Sequence, residues 1–482
     1  MNHDKRFKPV YVEHYSAGNS ALKTNPFFDE NPMGMGWMPL FGSSSQGFRS
    51  GMINEGPDKN FFIPFSVLAE NAEQIRFVKN KIRNGCEEVS QQDRMNIRVL
   101  TTVKELESIK SEWNELLKNS GNDIINLTHD WIMAWWNNFG GPHTLFVIVA
   151  YNASQKIAGI APCMKVKSSY RGIPMNKITL MANGYSPSAD IIAKKDQTEQ
   201  VIKAIIRHLE DVPGWDILEL TKIQQDGGTS AAILPYLEQK KKCYGIKDNI
   251  ESPYVVINSD WSTFLSSKSQ KFRKTLRNKL NRADNAGDLS IDKIMIKESS
   301  QADVVDMISV SEKSWKRKEH TDITSNPSSV GFYKEICDRF GPQGLVSLFL
   351  LKKGADPIAF EFHLTYNNTA YPIRADFDES FKHLSPGSIL ESHILKTLFD
   401  ESQIKEYNTC GHTYDYLVKW TDNTRKYINA EIFNENLRAR SLFFLEYKVI
   451  PLLRRMRLNA VKHYINSKRR KNGLTQKNNE RL

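Results

Sequence analysis

The chain lacks a Walker loop, a Gly-x-Gly-x-x-Gly after a strand, a Gly-x-Ser-x-Gly, a His-Glu-x-x-His and any metal-spaced His/Cys cluster. Hydrolase, kinase and dehydrogenase readings therefore lose their usual support. Cysteine is scarce: the five (Cys86, Cys163, Cys243, Cys337 and Cys410) are scattered and form no Cys-x-x-Cys. That favours a reduced, cytoplasmic protein without structural zinc or disulfides. Long apolar runs are missing too. The first thirty residues contain no apolar core of the ~7 to 15 residues a signal peptide needs, and nothing later approaches the ~20 of a membrane span. The nearest approach, "SLFFLEYKVIPLL" from Ser441, is interrupted by Glu446, Lys448 and Pro451 and reads as a helix lying on a surface.

What is present suffices for folded domains. Of 482 residues, 40% are hydrophobic and 10% aromatic, so wholesale disorder is excluded. The 66 basic against 55 acidic residues give +11, which suits anionic partners without requiring nucleic acid. Residues 1–95, rich in Gly, Asn, Ser, Pro and Met, read as an irregular leader. From residue 96 strands and helices alternate. "KELESIKSEWNELLKNS" places Leu106, Ile109, Trp113, Leu116 and Leu117 on one helical stripe, and Thr128 caps the helix that ends at Gly140. Residues 96–250 and 251–440 repeat one order of helices, strand meander, helix and strand, which suggests a duplicated α/β fold. Residues 441–482 read as a basic helical tail, able to touch anionic lipid head groups or to end free in solvent.

Four stretches can carry chemistry. In "AFEFHLTYNNTAYPIRADFD" a two-residue turn at Asn367-Asn368 sets Glu361 opposite Arg374, with His363 and Asp376 on the same face and Phe360, Phe362 and Leu364 on the other. Such a polar face lines a cleft or merely holds solvated ion pairs; Pro372 forces a gap or bulge. In "LSPGSILES", Ser388 and Glu391 have capping-box spacing, which explains a helix start without a ligand. Alternatively, the free N–H groups behind Gly387 receive a pyrophosphate. "GHTYDYLVKW" groups Tyr416, Lys419 and Trp420, although Trp420 also suits a core and Lys419 a solvated surface. The helix from Lys268 carries seven basic residues and no acid before Asp284, a solvated face or an anion-binding one.

The order of "NLTHDWIMAWWNNFG", "IAGIAPCMK", "GWDILEL", "FRKTLRNKLNRA", "EKSWKRK", the Glu361 meander and "GHTYDYLVKW" resembles the CelD/BcsL-type acyltransferases, over roughly residues 97–433. These bacterial proteins belong to the GNAT superfamily and are associated with cellulose and other exopolysaccharide synthesis. The resemblance implies tandem GNAT-like domains, each a mixed, mostly antiparallel sheet flanked by helices, as in the Fem-type transferases. It places the donor's pyrophosphate at Ser385, Gly387 and Ser388 and implies acyl-CoA, acetyl-CoA first, as donor, without a metal. Leu384 stands where the superfamily's first Arg or Gln would be, and Leu417 where the family's Lys would be. Within that frame Glu361, His363 and Asp376 are the base candidates and Tyr416 the acid. Backbone N–H groups near Asp376–Asp378 are the oxyanion donors, and Arg374, Trp315, Lys419 and Trp420 bind substrate. The expected reaction moves an acyl group from a thioester to a hydroxyl or amine of a saccharide of the cell envelope or its precursor. The expected setting is the cytoplasm or the inner membrane surface, with polysaccharide-synthesis machinery as a partner. Transfer from aminoacyl-tRNA to a peptidoglycan precursor, and a catalytically degenerate scaffold, are the rival readings.

Overall fold

Among the described residues, alternating β-branched and polar residues from Asn96 onward build 13 strands of one continuous mixed sheet, with helices on its faces, and Tyr11–Val12 adds a fourteenth. The computed structural model describes residues 95–456, apart from Arg171 and Ser402, together with Tyr11–Val12. The rest of the expected leader and the tail beyond Met456 lie outside the described residues.

The strands are β1 (Tyr11–Val12), β2 (Asn96–Leu100), β3 (Thr144–Tyr151), β4 (Ile157–Tyr170), β5 (Ile173–Leu180), β6 (Ile192–Ala193) and β7 (Ile217–Gln224). They continue as β8 (Tyr244–Val256), β9 (Leu289–Met295), β10 (Val346–Lys353), β11 (Asp356–Tyr366), β12 (Thr369–Phe377), β13 (Glu406–Asn408) and β14 (Thr424–Phe433). The helices are α1 (Val103–Ser108), α2 (Lys110–Lys118), α3 (His129–Phe139), α4 (Thr198–Asp211), α5 (Gly228–Gln239) and α6 (Trp261–Ser266). After them come α7 (Gln270–Ala286), α8 (Ala302–Glu312), α9 (Pro327–Phe340), α10 (Pro386–Asp400) and α11 (Leu437–Phe444).

The sheet reads the same way from either edge. From one side β2, β3, β4 and β5 run antiparallel and β7 joins β5 in parallel. From the other side β9, β10, β11 and β12 run antiparallel and β13 joins β12 in parallel. The closing strands then cross over. β8, which follows α5, pairs with β13, whereas β14, which follows β13, pairs with β7, and β8 and β14 pair with each other at the centre.

Local chemistry explains two helix starts of the first half. Thr102 and Glu105 close a capping box on α1, and the Thr128 hydroxyl accepts the Trp131 N–H at the head of α3. The stripe expected to be one helix is two, parted at Ile109 (φ −104°, ψ 12°). α3 and α9 pack directly against each other, with Trp131 edge-on to Phe332 at 5.4 Å and Asn138 bonded to Glu335 at 2.9 Å. One apolar core therefore continues from Trp131 and Trp135 through Phe332 to Phe360, Phe362 and Leu364.

The β11–β12 hairpin corrects the expected register. Asn367 and Asn368 take positive φ (49° and 57°), and pairing runs as expected from Tyr366↔Thr369 to His363↔Pro372. There the proline interrupts the ladder, and a bulge at Ile373 moves later pairs by one, to Phe362↔Arg374 and Glu361↔Ala375. A one-residue slip turns every following side chain to the other face. Arg374 and Asp376 therefore lie with Phe360 and Phe362, whereas Glu361 and His363 remain on the α10 side.

Candidate functional site

β12 and β13 are joined only at Thr369↔Glu406 and Ala370↔Tyr407, although β12 runs on to Phe377. Beyond Ala370 no ladder holds the two parallel strands together, and they open as a wedge at their carboxyl ends. In α/β sheets a crevice at that end is where ligands are received.

α10 begins beside this wedge. Ser385 turns the chain in the left-handed conformation (φ 61°, ψ 50°) and Pro386 occupies the first helical position. The expected capping box at Ser388 and Glu391 does not form, because the helix starts before Ser388 and Glu391 turns inward. The Ser388 and Ile389 N–H groups both reach the Ser385 carbonyl, at 3.0 and 3.3 Å. A Cβ at Gly387 would meet nothing nearer than the Phe377 ring at 3.9 Å, so the backbone there is open to a close approach. Cations from α7 adjoin it. Lys279 Nζ donates to Ser388 Oγ at 2.7 Å and Arg282 Nη1 to the His383 carbonyl at 2.9 Å. Partial burial, with Lys419 nearby, lowers the Lys279 pKa. A helix N-terminus flanked by lysines suits a phosphate.

Beneath the wedge lies a buried acid–base cluster. Glu361 Oε2 accepts the Tyr407 hydroxyl at 3.2 Å and lies 3.0 Å from His363 Nε2. Glu391, 4% exposed, accepts a hydrogen bond from Trp420, and burial, reinforced by the Glu361 charge, raises its pKa well above the carboxylate range. Burial also raises Tyr416, with Glu391 and Glu361 adding to the effect, so the phenol keeps its proton at neutral pH. Tyr416 as a whole residue is 51% exposed, although its hydroxyl end is desolvated, and its ring stacks on Tyr414 at 5.8 Å. It sits at the boundary between the cluster and solvent.

Four expected placements are corrected here. Asp376 does not join Glu361 and His363. On the opposite face its Oδ2 accepts from Arg374 Nε at 2.8 Å and Ser311 Oγ at 2.6 Å, and Lys316 Nζ lies 2.5 Å from Oδ1. Arg374 is spent on Asp376 and the Thr321 carbonyl, and Trp315 stands partly exposed near Lys316. Trp420 is a core residue, edge-on to Phe272 at 4.8 Å, because its indole finds better burial there than in a cleft. Lastly, the Asp378 N–H is bonded to the Ile358 carbonyl and is no free oxyanion donor.

Tyr407 and Lys316 carry this geometry without having been singled out in the sequence, Lys279 belongs to the basic helix read there as solvated or anion-binding, and Glu391 was read there only as a capping residue. For Glu391 a signal existed: Glu391, Ile394, Leu395 and Leu398 follow the i, i+3, i+4, i+7 spacing of a buried stripe. Among the described residues no group of His, Cys, Asp and Glu is arranged to hold a metal ion.

Residues 270–416, which contain α7, the meander, α10 and the cluster, match the family model described as an acetyltransferase (GNAT) domain. Comparison with curated proteins yields no match. Similar solved structures include a conserved protein of unknown function from Bacteroides thetaiotaomicron, 14% identical over 70% of this chain and 100% of that one, TM-score 0.45. FemX is 11% identical over 73% of this chain and 100% of that one, TM-score 0.47. L-PGS from Bacillus licheniformis is 13% identical over 73% and 97% of the respective chains, TM-score 0.43.

Proposed function

We propose that the acetyltransferase-like segment 270–416 transfers an acyl group from an acyl-CoA-type thioester to a hydroxyl or amine of a cell-envelope or exopolysaccharide precursor, as in CelD/BcsL-type proteins. The observation that carries the reading is the stretch of β12 beyond Ala370 that β13 no longer pairs, flanked by the open N-terminus of α10 and the Glu361 cluster. Gly387, Ser388 and Lys279 receive the donor's pyrophosphate, which directs its thioester along the free edge of β12.

The nucleophile's oxygen or nitrogen attacks the thioester carbonyl carbon as its proton passes to the Glu361–His363 pair. The C–S bond then breaks, and the departing thiolate takes the proton of Tyr416. Burial keeps the proton on Glu391, so the base beside the wedge is the hydrogen-bonded Glu361–His363 pair. Arg374, Asp376, Lys316 and Trp315 border the opposite face of β12, the side from which an acceptor enters.

Calorimetric titration with acetyl-CoA, longer acyl-CoAs and aminoacyl-tRNA tests the reading. Saturable binding of one acyl-CoA supports it. Binding of aminoacyl-tRNA alone replaces it with the Fem-like reaction, and no binding of any donor leaves a scaffold.

A further inference from the structure

The chain leaves the sheet through one continuous helical run from Leu437 to Met456, whose middle, Leu445–Val449, is a π turn. The cause of the π turn is local. Pro451 has no N–H and its ring crowds the carbonyl four residues back, so the helix widens just before it, and the Ile450 N–H bonds the Leu445 carbonyl.

One side of this run is firmly seated. Ala439, Leu442 and Tyr447 are buried against Met175, Ile217 and Phe433. The Tyr447 ring lies directly over Gly245, where a Cβ would meet it at 1.9 Å, and its hydroxyl donates to Glu431 at 2.8 Å. Lys247 adds a bridge to Glu446 at 3.3 Å. The opposite side is apolar and bare: Leu437 is 85% exposed, Phe444 61%, Leu452 58%, Leu453 56% and Met456 60%.

The π turn aligns these residues. With about 100° per α-helical residue and about 80° per residue through the π turn, Leu437, Phe444, Leu452 and Met456 fall within an arc of roughly 40°, with Leu453 about 60° to one side. Without it, Leu452 and Met456 would stand about 60° and 100° away from Leu437. The seated residues lie on the far side, at roughly 140° to 220°. Arg440, Lys448 and Arg455 flank one edge of the stripe and Arg438 the other, all exposed. The run holds five basic residues and one acid, Glu446, which faces Lys247. Beyond Met456 the sequence continues with eight basic residues and one acidic.

We infer that the Leu437–Met456 helix docks the protein on an anionic lipid bilayer, its apolar stripe in the head-group boundary and its arginines and lysines on lipid phosphates. An apolar stripe bordered by cations is the pattern of an interfacial helix, and each basic residue near an anionic surface adds about 1 kcal/mol. Charge favours a bilayer over a second copy of this chain, because two such helices face to face would bring like-charged edges together. Among the described residues no helix is long and apolar enough to cross a membrane, so the contact is one of lying on the surface. The inference is independent of the proposed reaction, since it involves no residue of the wedge and no acyl donor.

Sedimentation of the full chain with vesicles of phosphatidylcholine, or of phosphatidylcholine mixed with phosphatidylglycerol, tests it. The mixed vesicles are expected to bind at least about tenfold more tightly, with the difference shrinking as salt rises. Phe444→Ser, Leu452→Ser and Met456→Ser together should weaken that binding about tenfold or more while leaving thermal unfolding unchanged, since all three side chains are exposed. Lys448→Glu with Arg455→Glu is the second variant, with the same expected loss and an intact apolar stripe. Equal sedimentation of wild type and both variants overturns the inference. So does self-association that the serine variant abolishes without any vesicle binding, which would assign the stripe to a second copy.

Discussion

Each half of the sheet contains one parallel strand pair, and the two pairs end differently. In the first half β5 and β7 are joined from Lys177↔Ile217 to Thr179↔Glu219, and the space beyond is filled by the chain's own loop 181–191. Lys222 donates to the Asn183 and Ser186 carbonyls at 2.8 and 2.7 Å, its own carbonyl accepts the Ala189 N–H, and Asn122 holds Asp190 at 2.7 Å. In the second half the chain leaves β12 through a 3₁₀ turn, Glu379–Leu384, and the wedge beyond Ala370 stays open beside α10. The backbones still match. Lys222 and Cys410 sit at the same distance past the last parallel pair, with φ 54° and 56°, and each affects the other's titration. One skeleton thus occurs twice, closed by a lysine-pinned loop in one half and left open beside α10 in the other.

The largest effect that would break this contrast is on turnover. Glu361→Gln should cut acyl transfer by about 10²- to 10⁴-fold with donor affinity retained, whereas Asp190→Asn in the closed half should leave turnover unchanged; steady-state kinetics read both. Lys279→Ala should weaken acyl-CoA binding about tenfold by removing a cation from the mouth of the wedge, which titration calorimetry measures.

A third change sharpens the closed side. Lys222→Met leaves the Asn183 and Ser186 carbonyls unpaired and should cost about 1–3 kcal/mol in chemical unfolding, with donor binding retained. Burial pulls the Lys222 amine down to about 8, and part of the loss is offset by removing a buried cation.

The smallest effect is on pH dependence. The folded chain keeps on Glu391 a proton that the unfolded chain, with the ordinary value of 4.5, releases. Stability is then full below that value and declines as pH rises toward the raised one. Glu391→Gln removes this decline, so its Tm relative to wild type should rise by about 2 °C between about pH 5 and pH 8.

Much of the architecture was legible in the sequence because it rests on periodicity. The mixed, mostly antiparallel sheet, the Thr128 cap and the Asn367-Asn368 turn all follow from local patterns. Pro372 announced a bulge, but the side on which the register would slip depended on how the flanking strands packed, and that slip separated Asp376 and Arg374 from Glu361 and His363. Glu391 was misread because capping-box spacing is local, whereas its burial depends on Trp420 and β11 arriving from elsewhere. The exchange of β8 and β14 joins strands far apart in sequence, beyond the reach of any local pattern.

The central claim, that only the second half receives a donor, is tested most directly by placing one carboxylate at each of two helix starts. Gly387→Asp puts it at the open mouth of the wedge, and Gln197→Asp puts it at the N-cap of α4, the corresponding helix of the closed half. Titration with acetyl-CoA should show binding by wild type and by Gln197→Asp and a loss of about a hundredfold in Gly387→Asp. Binding that survives Gly387→Asp and is lost in Gln197→Asp would contradict the account.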